Sequence, residues 1–194
     1  MTKIIGLTGG IGSGKTLVAN YIKSLGIPVY IADDEARKLM ENDLVIQAIV
    51  NEFGTDILDD NHLKREKLAQ LVFNNPDKLQ KLNGIVHPLV KKHFDLWVRE
   101  HRNFPFVVKE AAILFETGSY KDCDSIITVV TPLETKIKRI LERDKTDRES
   151  ILKRMANQWA DEDRIAKSDY VIYNNTVEET QNQIKKILLL LKNQ

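Results

Sequence analysis

Apolar and polar positions along the chain switch repeatedly between a strand-like and a helix-like period. Residues Lys3 to Thr8 form a short apolar run, rich in β-branched residues, that stops at glycines. This is the pattern of a buried parallel strand ahead of its loop. Beyond the glycines, Leu17, Val18, Tyr21, Ile22 and Leu25 recur at helical spacing, and Gly26 followed by Ile27 and Pro28 is a stop signal. A second strand is predicted at Val29 to Ala32. A helix follows whose first turn carries Asp33, Asp34 and Glu35, carboxylates that suit the positive end of a helix dipole. The opening therefore reads βαβα.

From Leu44 to about Arg102 the apolar residues keep a helical period, with turn signals near Gly54, Asp59 to Asn61 and Asn74 to Pro76, which predicts a helical insertion. Strand character returns at Phe104 to Val108, around Ala112 to Phe115 and at Ser125 to Thr131. The stretch from Leu133 to Lys167 is helical in pattern and highly charged. Between positions 136 and 154 it carries eight Lys/Arg against four Asp/Glu, the one local excess of positive charge. Tyr170 to Ile172 predicts a last strand. Thr176 and Glu179 make a capping box for a closing helix that presents Ile184, Ile187, Leu188 and Leu191 on one face.

Composition narrows the class. At roughly 150 residues per domain, 194 residues make one compact domain with an embedded insertion, and a hydrophobic share of 42% supplies a sizeable core. The net charge of +1 gives no global field toward nucleic acid or anionic membranes, so neither is expected as a partner. The single cysteine, Cys123, allows neither an intrachain disulfide nor a cysteine-based zinc site, and its expected role is packing. The first residues lack the apolar stretch of a secretory leader, and IKKILLLLK is far shorter than the ~20 residues that span a bilayer. A soluble, cytoplasmic protein is expected.

The glycines after the first strand carry the chemistry. Gly9-Gly10-Ile11-Gly12-Ser13-Gly14-Lys15-Thr16 matches GxxxxGK[ST] and lies between an apolar strand and an amphipathic helix, where its physics requires it. Glycines let successive N–H groups converge on phosphate oxygens, and the helix aims its positive dipole end at the same anion. The expected nucleotide-binding residues are Gly10, Ile11, Gly12, Ser13, Gly14, Lys15, Thr16 and Leu17. Lys15 would reach the β- and γ-phosphates, and Thr16 would ligate Mg²⁺ through its hydroxyl. The predicted fold is α/β, a P-loop NTPase three-layer fold with a central parallel sheet. A loop of this kind serves kinases, GTPase switches and ATPases alike. No Asn-Lys-x-Asp guanine-reading motif occurs in the chain, which weakens the switch.

Over nearly all its length the chain resembles the dephospho-coenzyme A kinases. IIGLTGGIGSGKT is similar to that family's nucleotide loop. VYIADDEAR corresponds to its Asp-Ala-Asp segment, with Ile31 in place of the first Asp and Asp33 matching the second. LKREKLAQLVF and LNGIVHPLV, with His87-Pro88, resemble stretches of its insertion. AAILFETG resembles its Leu-Leu-Phe-Glu segment with Ala112 where proline is usual. RILERD, RMANQ and SDYVIYNN resemble its lid and closing strand, which places Arg139, Arg143, Arg154, Gln158, Asp169 and Asn174.

The resemblance implies transfer of the γ-phosphoryl of ATP to the ribose 3'-hydroxyl of dephospho-coenzyme A, with Mg²⁺ as cofactor and those two substrates as partners. It implies a nucleotide-binding core at 1–43, 103–132 and 168–194, a helical acceptor-binding insertion at 44–102, and a charged helical segment with the lid at 133–167. Asp33 would orient or deprotonate the hydroxyl or hold Mg²⁺ through water, with Asp34 as its neighbour and competitor; both also suit helix capping. Arg139 and Arg143, one turn apart, would neutralise the transferring phosphoryl, or else form a solvated face with Glu142 and Asp144. Arg65 and His87 would contact the acceptor, or else serve as a surface ion pair and as a cap for a helix starting near Pro88. Asn174 would touch adenine or end a strand. Another small-molecule kinase, such as a nucleoside monophosphate kinase, and a non-catalytic nucleotide switch remain as rivals. The expected assembly is a monomer or weak homo-oligomer.

Overall fold

The computed structural model describes residues 2–60, 62–73 and 75–193. In chain order the first elements are β1 (Lys3–Thr8), α1 (Lys15–Ser24), β2 (Val29–Ile31), α2 (Ala32–Leu39), α3 (Asp43–Phe53), β3 (Leu58–Asp59), β4 (His62–Leu63), α4 (Arg65–Phe73) and α5 (Pro76–Glu100). They are followed by β5 (Phe106–Glu110), β6 (Ser125–Val130), α6 (Leu133–Arg143), α7 (Arg148–Ala156), α8 (Asp161–Ala166), β7 (Tyr170–Tyr173) and α9 (Val177–Lys192). Residues 1–31 with 101–194 form one compact unit and residues 32–100 a second. No helix among the described residues is long and apolar enough to cross a membrane.

The first unit is built on a five-stranded sheet of order β2-β5-β1-β6-β7 in which every pairing is parallel. Ile5 and Leu7 lie two apart in β1 and so project from one face of the sheet. They join Val108, Ile127, Val129, Val18 and Ile22 of α1, and Ile184 and Leu188 of α9 in one core. β1 is the central strand and the point where the order reverses, β5 and β2 lying on one side and β6 and β7 on the other. The crevice that such a reversal opens lies beyond the carboxyl ends of the strands, and there the glycine loop emerges. The other face of β1 is close-packed at Gly6, where an added Cβ would stand 2.8 Å from Leu114 and 3.0 Å from Cys123. Burial pushes the Cys123 thiol up to about 11, so it packs as a small apolar group without thiolate character.

One expectation needs correction in this unit and another is sharpened. Ala112 to Phe115 is a series of turns and not a strand. Its apolar signal arises because Leu114 and Phe115 insert into the interior, which produces the same composition without a ladder. The helical stretch from 133 to 167 is three helices, with breaks before α7, capped by Asp147 on Ser150 N–H at 2.8 Å, and before α8. The closing helix does begin at the capping box, Thr176 accepting from Glu179 N–H at 3.2 Å.

The second unit packs α2 to α5 and the β3–β4 hairpin around Val45, Ile49, Ile57, Leu68 and Val72. It begins at Ala32 and not at residue 44, because α2 packs on α5 and α2 thus belongs to the insertion. α5 runs unbroken through Pro88, so His87 lies in mid-helix and caps nothing. Pro88 forfeits the N–H bond to the Gly84 carbonyl, a loss that 25 residues of helix absorb. Of the turn signals expected here, Asn61 and Asn74 lie outside the described residues.

Candidate active site

Gly14 is the N-cap of α1, with φ 89°, and offers no side-chain cap. The amide donors of the first turn therefore have no side-chain acceptor from the cap, as an anion socket requires. Only glycine fits there: an added Cβ would drive into Asn174 Nδ2 as well as straining the backbone. Ser13 N–H closes the loop on Gly10 O at 3.1 Å. Lys15 is buried and its Nζ donates to Gly9 O at 2.8 Å and Gly10 O at 3.4 Å, which lays the ammonium along the loop. Thr16 and Leu17 are exposed on the first turn of α1. Ser13 Oγ is buried without a hydrogen-bond partner among the described residues.

The loop is clamped from behind. Ser13 O accepts from Asn174 Nδ2 at 2.8 Å and from Thr131 Oγ1 at 2.9 Å. Asn174 Oδ1 in turn accepts from Thr180 Oγ1 at 3.1 Å. With both polar ends engaged and only 2% of the residue exposed, Asn174 braces the loop from behind. Its neighbours Tyr173 and Asn175 line the adjacent cavity instead. Replacing Asn174 by alanine is expected to lower stability by about 1–3 kcal/mol, because it removes the bonds to Ser13 O and from Thr180 Oγ1 at a buried position, measured by denaturant unfolding. An unchanged midpoint would mean that Thr131 alone holds the loop.

That cavity, about 820 Å³, is bounded by Gly10 and Ile11, by Pro132, Leu133 and Lys136 at the start of α6, and by residues 158–162. Along its wall runs a charge network absent from the expected site. Lys136 pairs with Asp161. Arg164, 1% exposed, bonds Glu116 at 3.0 Å and Asp161 at 3.4 Å. The Arg164, Asp161 and Lys136 heads all lie within 3.5 Å of where a Cβ on Gly10 would stand. In sequence these residues look like solvated helix faces, and only the tertiary fold turns them inward.

The two lid arginines part company. Arg139 donates to Thr131 Oγ1 and Asn174 O, each at 3.4 Å, at the loop's back edge. Arg143, whose side chain is 62% exposed, is forked onto Asp144 at 2.7 and 3.1 Å, and Arg154 joins the same carboxylate at 3.1 Å. These two guanidinium groups hold Asp144 down at about 2, below the usual 3.8, so it stays ionised at neutral pH. Arg143 thus lies in the surface pairing that was its alternative. Glu110, which the pattern did not single out, is buried at the carboxyl end of β5 in register with Leu7 of β1.

In the second unit Asp33 is exposed on the first turn of α2. Asp34 is spent on Arg37 at 2.9 Å. Arg65 bonds Glu41 at 2.5 Å and Arg37 O at 3.2 Å, beside a cleft of about 650 Å³ that His62 and Lys64 also line. His87 is exposed on α5.

Comparison with known proteins agrees with this architecture. A family profile described as dephospho-CoA kinase matches residues 3–179. A dephospho-CoA kinase of Fusobacterium nucleatum is 43% identical over 174 residues, covering 89% of this chain and 90% of that protein. The crystal structure of TT1252 from Thermus thermophilus superposes with a TM-score of 0.85 at 32% identity over 97% of both chains. A dephospho-CoA kinase from Campylobacter jejuni shares the fold, with a TM-score of 0.65 at 23% identity over 98% of this chain and 97% of that one. A glycine loop clamped at the switch point of a 2-5-1-6-7 parallel sheet, carried by a sequence that matches this profile almost end to end, places the chain in the dephospho-CoA kinase family.

Proposed function

We propose that this chain transfers the γ-phosphoryl of ATP to the ribose 3'-hydroxyl of dephospho-coenzyme A, giving coenzyme A and ADP in the cytoplasm. The observation that carries the reading is the uncapped start of α1 behind Gly14, with Lys15 lying along the loop. Such a site binds a polyphosphate through converging amides and supplies one mobile cation for the group in flight.

Phosphoryl transfer asks a protein for position and charge more than for covalent chemistry. Lys15 would follow the β- and γ-phosphates, and Arg139, already at the loop's edge, would neutralise charge from the lid side. Asp33, in the first turn of α2, would orient or accept the proton of the 3'-hydroxyl. Arg65 and His87 would hold the acceptor, and α6 to α8 would exclude water on closure. Arg143 would have to leave Asp144 to take part.

Mg²⁺ suits these residues as a cation borne mainly by phosphate and water. Among the described residues no group of three or more His, Cys, Asp or Glu forms a cage. Thr16 offers one exposed hydroxyl and Glu110 one carboxylate at the strand end, the sparse donor set that Mg²⁺ accepts. When bound, the ion would neutralise the phosphates and hold them in line.

The test is an acceptor panel with ATP and Mg²⁺. Rapid ADP formation with dephospho-coenzyme A, and 3'-phosphate in the product, is the expected result. Turnover with AMP, CMP or shikimate instead, or slow hydrolysis of ATP that no acceptor accelerates, would overturn the proposal.

A further inference from the structure

Gln158, between α7 and α8, reaches the loop with its side chain, its Oε1 accepting from Ile11 N–H at 2.9 Å. A backbone amide can only donate, so the oxygen must face Ile11 and the two Nε2 hydrogens must face away. Gln158 lines the cavity bounded by Gly10, Ile11 and Lys136, and its Nε2 makes no hydrogen bond to the described residues. The nearby carboxylate of Asp161 is already taken by Lys136 and Arg164.

The backbone that carries this side chain is held in place on both sides. Gln158 N–H ends α7 on Met155 O at 3.0 Å. Trp159 N–H donates to Glu116 Oε1 at 2.9 Å, and its ring stacks on Phe115 with centroids 5.3 Å apart and planes 11° apart. A group fixed by its neighbours loses little freedom on binding and works as a preorganised contact. Its bond also withdraws Ile11 N–H from the amides that could receive phosphate, and a pair of side-chain donors stands beside it.

We propose that Gln158 is a ligand of the nucleotide's terminal phosphoryl group: Oε1 stays on Ile11 while Nε2 donates to a γ-phosphate oxygen, so one side chain joins the lid to the loop and distinguishes triphosphate from diphosphate. The proposal rests on the reading of the loop as a nucleotide site.

Gln158→Glu tests it. The variant keeps an oxygen to accept from Ile11 but replaces the donor with a carboxylate oxygen, so a merely structural brace would leave it unchanged. Calorimetry with Mg²⁺ and either the β,γ-imido analogue of ATP or ADP is the readout, together with kcat and KM for ATP. Loss of a hydrogen bond to a charged group is worth on the order of tenfold or more in affinity. Q158E should therefore bind the imido analogue about tenfold more weakly or worse while ADP binding stays within about threefold, with a matching fall in kcat. An unchanged ratio of the two affinities, or an equal loss of both, overturns the assignment. If Q158E does not fold, Q158M carries the same reading: selective loss of the triphosphate supports it, and equal loss reveals a brace only. Wild-type protein that binds neither nucleotide would instead remove the nucleotide site itself.

Discussion

Alanine at Lys15 is expected to lower turnover by on the order of 10²–10³-fold, the usual loss when a preorganised charge is removed from a developing anion. The ammonium lies on the Gly9 and Gly10 carbonyls, a seat from which a flexible stem can swing to a phosphoryl group. Arginine should not rescue the variant. Its planar fork needs more room than the space between two loop carbonyls, and it cannot act as a compact point charge. Steady-state kinetics measure the effect, with ADP affinity expected to fall less than that of the imido triphosphate. A K15A enzyme within tenfold of wild type would sink the role.

Asp33→Asn is expected to lower kcat by about 10²–10⁴-fold, the range for a positioned general base, and to leave ATP affinity unaltered because the loop donors are untouched. Asp34→Asn is the control. Its carboxylate is committed to Arg37, both side chains being at least half exposed, and such a pair contributes little. Turnover numbers and nucleotide binding measured on the two variants separate the positions. Near-native turnover of D33N, or an equal loss in D34N, would remove Asp33 from the chemistry.

The loop, its flanking strand and helix, and the cap at Thr176 were legible because each is specified by neighbours in sequence: glycines that permit a positive φ, a β-branched run, an accepting oxygen three residues before its N–H donor. The parallel sheet was legible for a related reason. Strands buried on both faces are mostly apolar, as Ile126, Ile127, Val129 and Val130 of β6 are.

The signal failed where burial and hydrogen bonding depend on distant partners. Phe115 and Leu114 are as apolar as any strand yet form turns, because the space they fill belongs to another layer. Arg143 and Lys136 sit two turns apart on one charged helix, and nothing local shows that one is clasped by Asp144 at the surface while the other faces Gly10. Asn174 meets Ser13 across 161 positions of chain, and Gln158 meets Ile11 across 147.

A nucleotide loop and a sheet to carry it therefore follow from short-range rules of backbone geometry and side-chain period, which act within a few residues and survive in any context. Which polar groups brace that loop and which face the cavity is decided only when separate stretches of chain exclude water from one another, since a charge or amide reveals its role by the partner it finds on burial.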